Sequence, residues 1–471
     1  MMNHAVDSGD ALPSMVVCNV DWEKMKQAGL TEDQQMLFDA FENLGVKEYV
    51  VLEKGDVKVA VTGVFGKDCL ACVVAPPLVF QDPVEGLKET VAKIQENEEA
   101  DMIVCVSHSG TWKDKAKSED EILAKEVPEL DLIVSAHTHT KLEQPIQHGD
   151  TYIVSAGEYG KYLGNLSMSQ KEDGRWKMDS YELITVGDDI EEDAETQKKI
   201  DQLMDMVDAK YLEQFGYTKD QVLCTNEIDF APQSDTSEKH TEVNLGSIIA
   251  DAYTYAAEQV LGPDTVAMTV IPSGTIRDSY PKGNITTENV FNSFSLGIGR
   301  DEIPGYPLIY VYLTGEELKL AAEIDASISD LMTEARLYTD GLYWHYNPNR
   351  MILNKATDVF LVNNQEERVE LEDEKLYLVV TDYYNSQMLG SVTDLSMGLL
   401  SIIPKFADGT PIENYEDAIL MKGDQELKAW VAIADYMSSF EDTDGDGVGN
   451  VPAKYGILEG RKVVEDSKNI I

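Results

Sequence analysis

The sequence predicts an α/β layer architecture for its first half and a separate α/β or α+β domain for its second, on three observations. Short β-branched runs alternate with charged helical stretches between residues 57 and 155, a long polar segment of helical period follows, and after about Thr225 the alternation restarts with its own helix-start signals. Taken in order, Met15 to Val20 reads as strand-like, and Val57 to Val64 (VKVAVTGV), Met102 to Ser107 (MIVCVS), Leu132 to Ser135 (LIVS) and Tyr152 to Ser155 (YIVS) read as buried strands. Asp82 to Glu99 and Ser118 to Glu129 carry apolar residues at helical spacing between them, so the pattern is β-α-β-α-β and the loops leaving the strand ends should carry the chemistry. Gly187 to Phe215 is poor in interior Gly and Pro and reads as a linker helix between domains.

In the second half, Asn244 to Glu258 reads as a helix and Ala267 to Pro272, Leu308 to Leu313 and Leu376 to Thr381 as strands, with Asp424 to Ser438 as a late helix. Thr314 and Glu317 stand three apart before an apolar run, the spacing of a capping box. There is no internal repeat and no low-complexity tract.

Composition narrows the function. The 471 residues hold 38 Lys plus Arg against 86 Asp plus Glu, a formal net charge of −48. So acidic a chain has no basic field to hold a nucleic-acid backbone and is repelled by an anionic membrane surface. No apolar run approaches the ~18 residues of a membrane-spanning helix, and the first thirty residues show no basic segment followed by an apolar one. Five cysteines are too few for a disulfide scaffold. Cys69 and Cys72 have redox or zinc spacing, but without a second such pair they read as an ordinary or locally disulfide-bonded pair.

Of seven histidines, four stand beside strand-like runs. The run MIVCVSHSG delivers His108, and LIVSAHTHT delivers His137 and His139; alternation in an extended segment would put the latter two on one side, able to converge on one ion. Ser107, Gly110, Ala136 and Thr138 are small enough to leave room for a metal and its oxyanion ligand. His4 precedes the Met15 to Val20 run, while His148, His240 and His345 lack such context and read as structural.

These residues carry a resemblance. VSHSG, SAHTHT and the following AGEYGKYLG (Ala156 to Gly164) closely resemble the 5′-nucleotidase and UDP-sugar hydrolase branch of the calcineurin-like metallophosphoesterases. NLGSIIADAY (Asn244 to Tyr253), SGTIRD (Ser273 to Asp278) and GNITTENVFNSF (Gly283 to Phe294) resemble the same family's C-terminal nucleotide-binding domain, so the likeness spans nearly all of the chain. It implies an incomplete four-layer α/β/β/α metallophosphoesterase domain over residues 1–186, a linker helix over 187–220 and an α+β 5′-nucleotidase C-terminal domain over 221–471. By the same resemblance, two divalent ions, zinc, manganese or similar, activate a water. Asn3 matches a ligand of one metal, His4 the catalytic histidine, Asp7 the carboxylate orienting it, His108 and His137 ligands of one metal, and His139 a ligand of the other. Such a centre would polarise the phosphoryl oxygens while the His–Asp pair supports developing charge.

The sequence also departs from the family. Its upstream Asp-x-His and Gly-Asp segments are not present, Met2 and Ala5 replace the Gly and Glu around Asn3-His4, and the chain reads as an N-terminally shortened member with fewer ligands than two ions need. Arg277 matches a substrate-binding arginine although Pro272, Ser273 and Thr275 replace the Asn and two glycines around it, and Lys239 falls near another family arginine. Of the two rings that sandwich a base in the family, Leu296 stands at one position and Tyr384 at the other, followed by QMLGS in place of Gly-Gly-Asp-Gly. Outside the resemblance, Asp442, Asp444 and Asp446 alternate with Gly as in the first half of a calcium loop, but Ala453 occupies the closing position, which leaves calcium and a solvated acidic turn both open.

The sequence thus predicts a metal-dependent phosphoester hydrolase acting on nucleoside monophosphates, UDP-sugars or 2′,3′-cyclic nucleotides, placed by resemblance in the periplasm, outside the cell or on its surface. A non-catalytic nucleotide- or metal-binding surface protein, or an inactive fragment, is the alternative, and a calcium-stabilised module a third.

Overall fold

The computed structural model describes residues 2–9, 11–73, 76–187, 189–330, 332–395 and 401–467. They form two compact units, Met1–Asp193 and Ala194–Ile471.

The first unit begins with helices α1 (Met2–Asp7), α2 (Trp22–Ala28) and α3 (Glu32–Leu44), the last started by a capping box at Thr31 and stopped by left-handed Gly45. Strands β1 (Tyr49–Lys54), β2 (Val57–Phe65), β3 (Met102–His108), β4 (Leu132–Ser135), β5 (Ile146–His148) and β6 (Thr151–Val154) make one sheet in the order β1-β2-β3-β4-β6-β5. Its centre, β2-β3-β4-β6, is parallel. Between those strands come the single-turn α4 (Lys67–Ala71) and the crossover helices α5 (Pro83–Asn97) and α6 (Glu119–Glu126). Asp82 caps α5 through the Val84 and Glu85 N–H groups, and Pro83 suits its first turn because its missing N–H has no intrahelical partner there. Leu87, Val91, Ile94 and Leu123 pack on Ala60, Ile103, Cys105 and Ile133 to form the core. The other sheet face is covered by the hairpin β7 (Tyr162–Gln170) and β8 (Trp176–Thr185), where Trp176 joins Met102, Leu132 and Tyr152. Val106 and Val134, further along the same strands, are exposed.

The second unit opens with α7 (Ala194–Lys210) and β9 (Val222–Asn226), followed by α8 (Gln233–Glu238), α9 (Asn244–Leu261), β10 (Met268–Pro272), β11 (Gly283–Thr286) and α10 (Thr287–Ser293). After these come β12 (Leu308–Thr314), α11 (Gly315–Ser327), β13 (Leu337–Asp340), β14 (Leu342–Tyr346), β15 (Ala356–Val362), β16 (Arg368–Val369), β17 (Leu376–Asp382) and α12 (Tyr383–Leu395). The hairpin β18 (Met421–Lys422) and β19 (Gln425–Glu426), helix α13 (Ala429–Ser438) and β20 (Lys462–Val464) complete it. The central sheet runs β12-β17-β10-β13, with β10 and β17 parallel, and α9 and α13 bury Ile248, Ala252, Trp430 and Ile433 against one face. The Thr314 hydroxyl and the Glu317 carboxylate make both bonds of the expected capping box.

Three sequence expectations are corrected. Met15 to Val20 forms only isolated bridges at Val16 and Val20, because flanking Pro13 and the Asp21 cap of α2 leave it too short to extend a ladder. The late helix begins at Ala429 and not Asp424, since Gln425 and Glu426 are taken by a hairpin. All five cysteines are free, which removes the local disulfide reading of Cys69 and Cys72. The expected linker segment is helical over Ala194–Lys210 and belongs to the second unit.

Candidate functional site

Ligands of parallel sheets gather at the carboxyl ends of strands, and the register here decides which residues meet. Phe65 of β2 pairs with His108 of β3, and Ser107 pairs with Ser135 of β4, so the turns leaving three adjacent strands open on one edge. The first carries Asp68, Cys69 and Cys72, the second begins at His108, and the third carries His137 and His139.

Each turn is pinned. Gly66 N–H donates to the His108 carbonyl at 3.1 Å, and the Glu119 carboxylate accepts from the Lys67 and Asp68 N–H groups at 3.1 and 3.4 Å. A Cβ on Gly66 would lie 2.6 Å from the Ser109 Cα, so only glycine lets α4 sit this close to the end of β3. The third turn is held by Ala136 N–H donating to the Ser107 carbonyl at 2.9 Å. Gly110, itself left-handed at φ 92°, leaves the space that Thr138 fills.

As a result the His108 and His137 rings stand 5.2 Å apart, and ligand atoms of Cys69, His108 and His137 all lie within 4.8 Å of one another. Asp68, Cys72 and His137 form a second such group. Asp68 Oδ2 is 2.9 Å from His137 Nε2. The Asp68 carboxylate, with Cys69 beside it, favours the protonated imidazole and pushes His137 up to about 10, while burial and the neighbouring histidines push His108 down.

His137 and His139 are not in an extended segment: φ is 76° and 52°, left-handed at both. The two rings therefore diverge, His137 to Asp68 and His139 to Glu158, whose Oε2 is 2.7 Å from His139 Nδ1. The Asn3 amide oxygen accepts from Asn43 of α3 at 2.9 Å, and Asp7 is exposed at the end of α1. The side chain of His4 lies outside the described residues. His148, His240 and His345 are each paired with carboxylates, Glu121, Asp325 with Asp330, and Glu465.

The donor set tests the metal reading. Two imidazoles and a thiolate converging from three strand ends fit one divalent ion of the zinc class. Asn3 and His139, held by Asn43 and Glu158, are not gathered into that group. Sequence reading missed Asp68 and set Cys69 aside as one of an ordinary or disulfide-bonded pair, although the Cys69-Cys72 spacing directly after a strand was the signal.

In the second unit, β10 and β17 are parallel neighbours, so the turn after β10 and the start of α12 share one end of the sheet. That end holds Arg277 and Tyr384, with Thr275 Oγ1 3.4 Å from Asp382 Oδ2 linking the two strands. Gln233 of α8 donates to the Ile276 carbonyl at 2.9 Å, which ties α8 to the Arg277 turn; Lys239, just past α8, pairs with Asp235 at 2.6 Å. Tyr384 packs against Tyr306, centroids 5.7 Å apart and tilted, a ring that sequence reading did not single out. A base stacked between two rings needs about 7 Å of separation, so these rings are in mutual contact and leave no slot. Beside Tyr384 lies a small apolar cavity lined by Val270, Ile309, Leu337, Val379 and Met388 among others. Asp442, Asp444 and Asp446 bring their carboxylates within 4.8 Å, each also accepting backbone N–H bonds within its own loop.

An α/β unit with side chains able to hold a metal at its parallel strand ends, followed by a second α/β unit, defines the fold class as the two-unit, metallophosphoesterase-type architecture. The model of the 5′-nucleotidase C-terminal domain matches residues 221–393. The chain is 28% identical over 348 residues to the trifunctional nucleotide phosphoesterase protein YfkN of Bacillus subtilis, covering 72% of this chain and 22% of that protein. It is 29% identical over 278 residues to a 5′-nucleotidase of Vibrio cholerae, covering 51% of this chain and 48% of that one. The fold is shared with a 5′-nucleotidase precursor from Thermus thermophilus, at a TM-score of 0.68 and 20% identity over 96% of this chain and 79% of that one. Residues 221–393 thus form a 5′-nucleotidase C-terminal domain, and the chain spans about a fifth to a half of the length of these two curated relatives.

Proposed function

We propose that this protein hydrolyses phosphate esters of nucleotides with the help of a divalent metal. The observation that carries the reading is the convergence of His108 and His137 at the carboxyl ends of β3 and β4. They are the residues that would hold the metal, which when bound supplies polarisation of a phosphoryl oxygen and an activated water. His4 and Asp7 are proposed as the catalytic pair, and a two-ion centre would add Asn3 and His139. In the second unit Arg277 and Lys239 supply cationic donors and Tyr384 an aromatic face for the nucleotide, the chemistry that phosphate and base require. Nucleoside monophosphates, UDP-sugars and 2′,3′-cyclic nucleotides are the substrate classes, domain boundaries near 186 and 220 are retained, and a location outside the cytoplasm is part of the proposal. No helix among the described residues is long and apolar enough to cross a membrane.

The test is phosphate release from AMP, UDP-glucose and 2′,3′-cyclic AMP by protein loaded with zinc or manganese, with metal content measured alongside. Release abolished by His108→Ala supports the reading, and loaded protein that releases none from any of the three refutes it. A second reading, nucleotide binding without turnover, is favoured by the engagement of Asn3 with Asn43 and His139 with Glu158. Binding measured by calorimetry with no release would select it.

A further inference from the structure

We propose that Cys69 is a metal ligand: its thiolate, with the imidazoles of His108 and His137, holds a single zinc-class ion, and Asp68, 2.9 Å from His137 Nε2, fixes the orientation of that ring. The site goes beyond the hydrolase reading and does not depend on turnover.

Three features of the fold build it. The turn after β2 is locked over the end of β3 by the Gly66 to His108 backbone bond, the Glu119 carboxylate and the close approach of Gly66 to Ser109, and this places Cys69 over the histidines. Cys69 is buried in the turn whereas Cys72 is half-buried, and Cys69, not Cys72, shares a group with both His108 and His137. His137 is held left-handed at φ 76°, and the surrounding turn sustains it.

The chemistry fits one class of ion. In tetrahedral zinc sites, sulfur at about 2.3 Å and nitrogen at about 2.0–2.1 Å put ligand atoms roughly 3.3–3.8 Å apart. The present spread of up to 4.8 Å closes with a shift of about 1 Å, which side-chain torsions on a single-turn helix supply. A thiolate with two imidazoles selects zinc over magnesium, manganese or calcium, which prefer oxygen. One thiolate leaves the ion with a charge of +1, which the Asp68 carboxylate neutralises. Asp68 at 2.9 Å from His137 Nε2 is the carboxylate–imidazole contact that orients metal-binding histidines.

The experiment uses the full chain stripped of metal and titrated with cobalt(II), and X-ray absorption at the zinc edge of the zinc-loaded form. The expected results are one equivalent of cobalt with a thiolate-to-cobalt charge-transfer band, lost in Cys69→Ser and kept in Cys72→Ser, and one sulfur scatterer near 2.3 Å in the unsubstituted protein, a distance of about the usual zinc–sulfur length. Asp68→Asn should weaken metal binding about 10–100-fold while keeping the band. An ion held by nitrogen and oxygen alone, a band that follows Cys72, or no metal uptake would each overturn the site. The X-ray measurement needs no variant, so a misfolded Cys69→Ser does not rescue the idea. Phosphate release by a sulfur-free centre would sustain the hydrolase reading and sink this one; a charge-transfer band without phosphate release would do the reverse.

Discussion

Replacing Asp325 should destabilise the second unit by about 3–5 kcal/mol, because the carboxylate is the hydrogen-bonded counter-charge of a lysine sealed inside the fold. Asp325, on α11, is 0% exposed, and its oxygens accept from Lys462 Nζ at 2.7 Å, His240 Nε2 at 3.0 Å and the Leu337 N–H at 2.8 Å. The Lys462 side chain on β20 is 2% exposed and lies over the Trp344 ring. Burial disfavours the Asp325 charge, yet Lys462 and His240 more than offset it and hold the carboxyl down to about 2; burial still pushes the Lys462 ammonium down. The two directions together say that forming the pair gains little net, whereas breaking it strands a charge. Asp325→Asn keeps one acceptor and should fall at the lower end of the range; Asp325→Ala should reach the upper end. At about 2–4 °C per kcal/mol for a unit of this size, the melting temperature drops by roughly 6–20 °C. Urea unfolding followed by tryptophan fluorescence reads the change, since Trp344 and Trp430 are both buried in this unit. Asp325→Asn combined with Lys462→Met should recover most of the loss. A cost below about 1 kcal/mol for Asp325→Ala, or a double variant no better than the single, would refute the argument. The folded pKa lies below the unfolded value of 3.8, so this contribution is complete above about pH 4 and fades as pH falls through 2.

Four further outcomes are expected. Burial pushes Asp120 up to about 6, so the folded state holds a proton that the unfolded state has released between pH 4 and 6; stability of the first unit should fall across that window, by at most about 3 kcal/mol, and level off above it, whereas Asp120→Asn should remove the slope in urea midpoints. Thr314→Ala removes the cap that accepts the Glu317 N–H and should cost about 1 kcal/mol in thermal unfolding, with Thr314→Ser close to unchanged. Arg277→Ala should weaken nucleotide binding by roughly 10–100-fold in calorimetry, the loss of a charge-assisted hydrogen bond. Calcium should raise the melting temperature of the unsubstituted protein and leave Asp444→Asn unmoved; no shift in either assigns Asp442, Asp444 and Asp446 to a solvated acidic turn.

What the sequence by itself determined is local in origin. β2, β3 and β4 were legible because short runs rich in β-branched residues and bounded by polar turns suit a largely buried parallel sheet, and α9 because its apolar residues recur at helical spacing. The capping box at Thr314 was legible because both partners lie within four residues. His108 and His137 are legible as candidates for the same reason: each stands directly at or after the end of a readable strand.

Only the tertiary structure decided which strand ends are neighbours. Cys69 meets His108 and His137 because β2 lies beside β3 in register and because Gly66 lets the turn close on Ser109, facts of sheet order and sub-ångström packing that no window of sequence contains. The divergence of His139 from His137 follows from two left-handed residues, where period-2 alternation ceases to apply. Tyr306 became the ring against Tyr384, and Lys462 the charge against Asp325 across 137 residues, through the closing of long loops around a shared core. Periodicity and capping are written in neighbouring residues, whereas these pairings exist only once burial has repaid the entropy of bringing distant segments together.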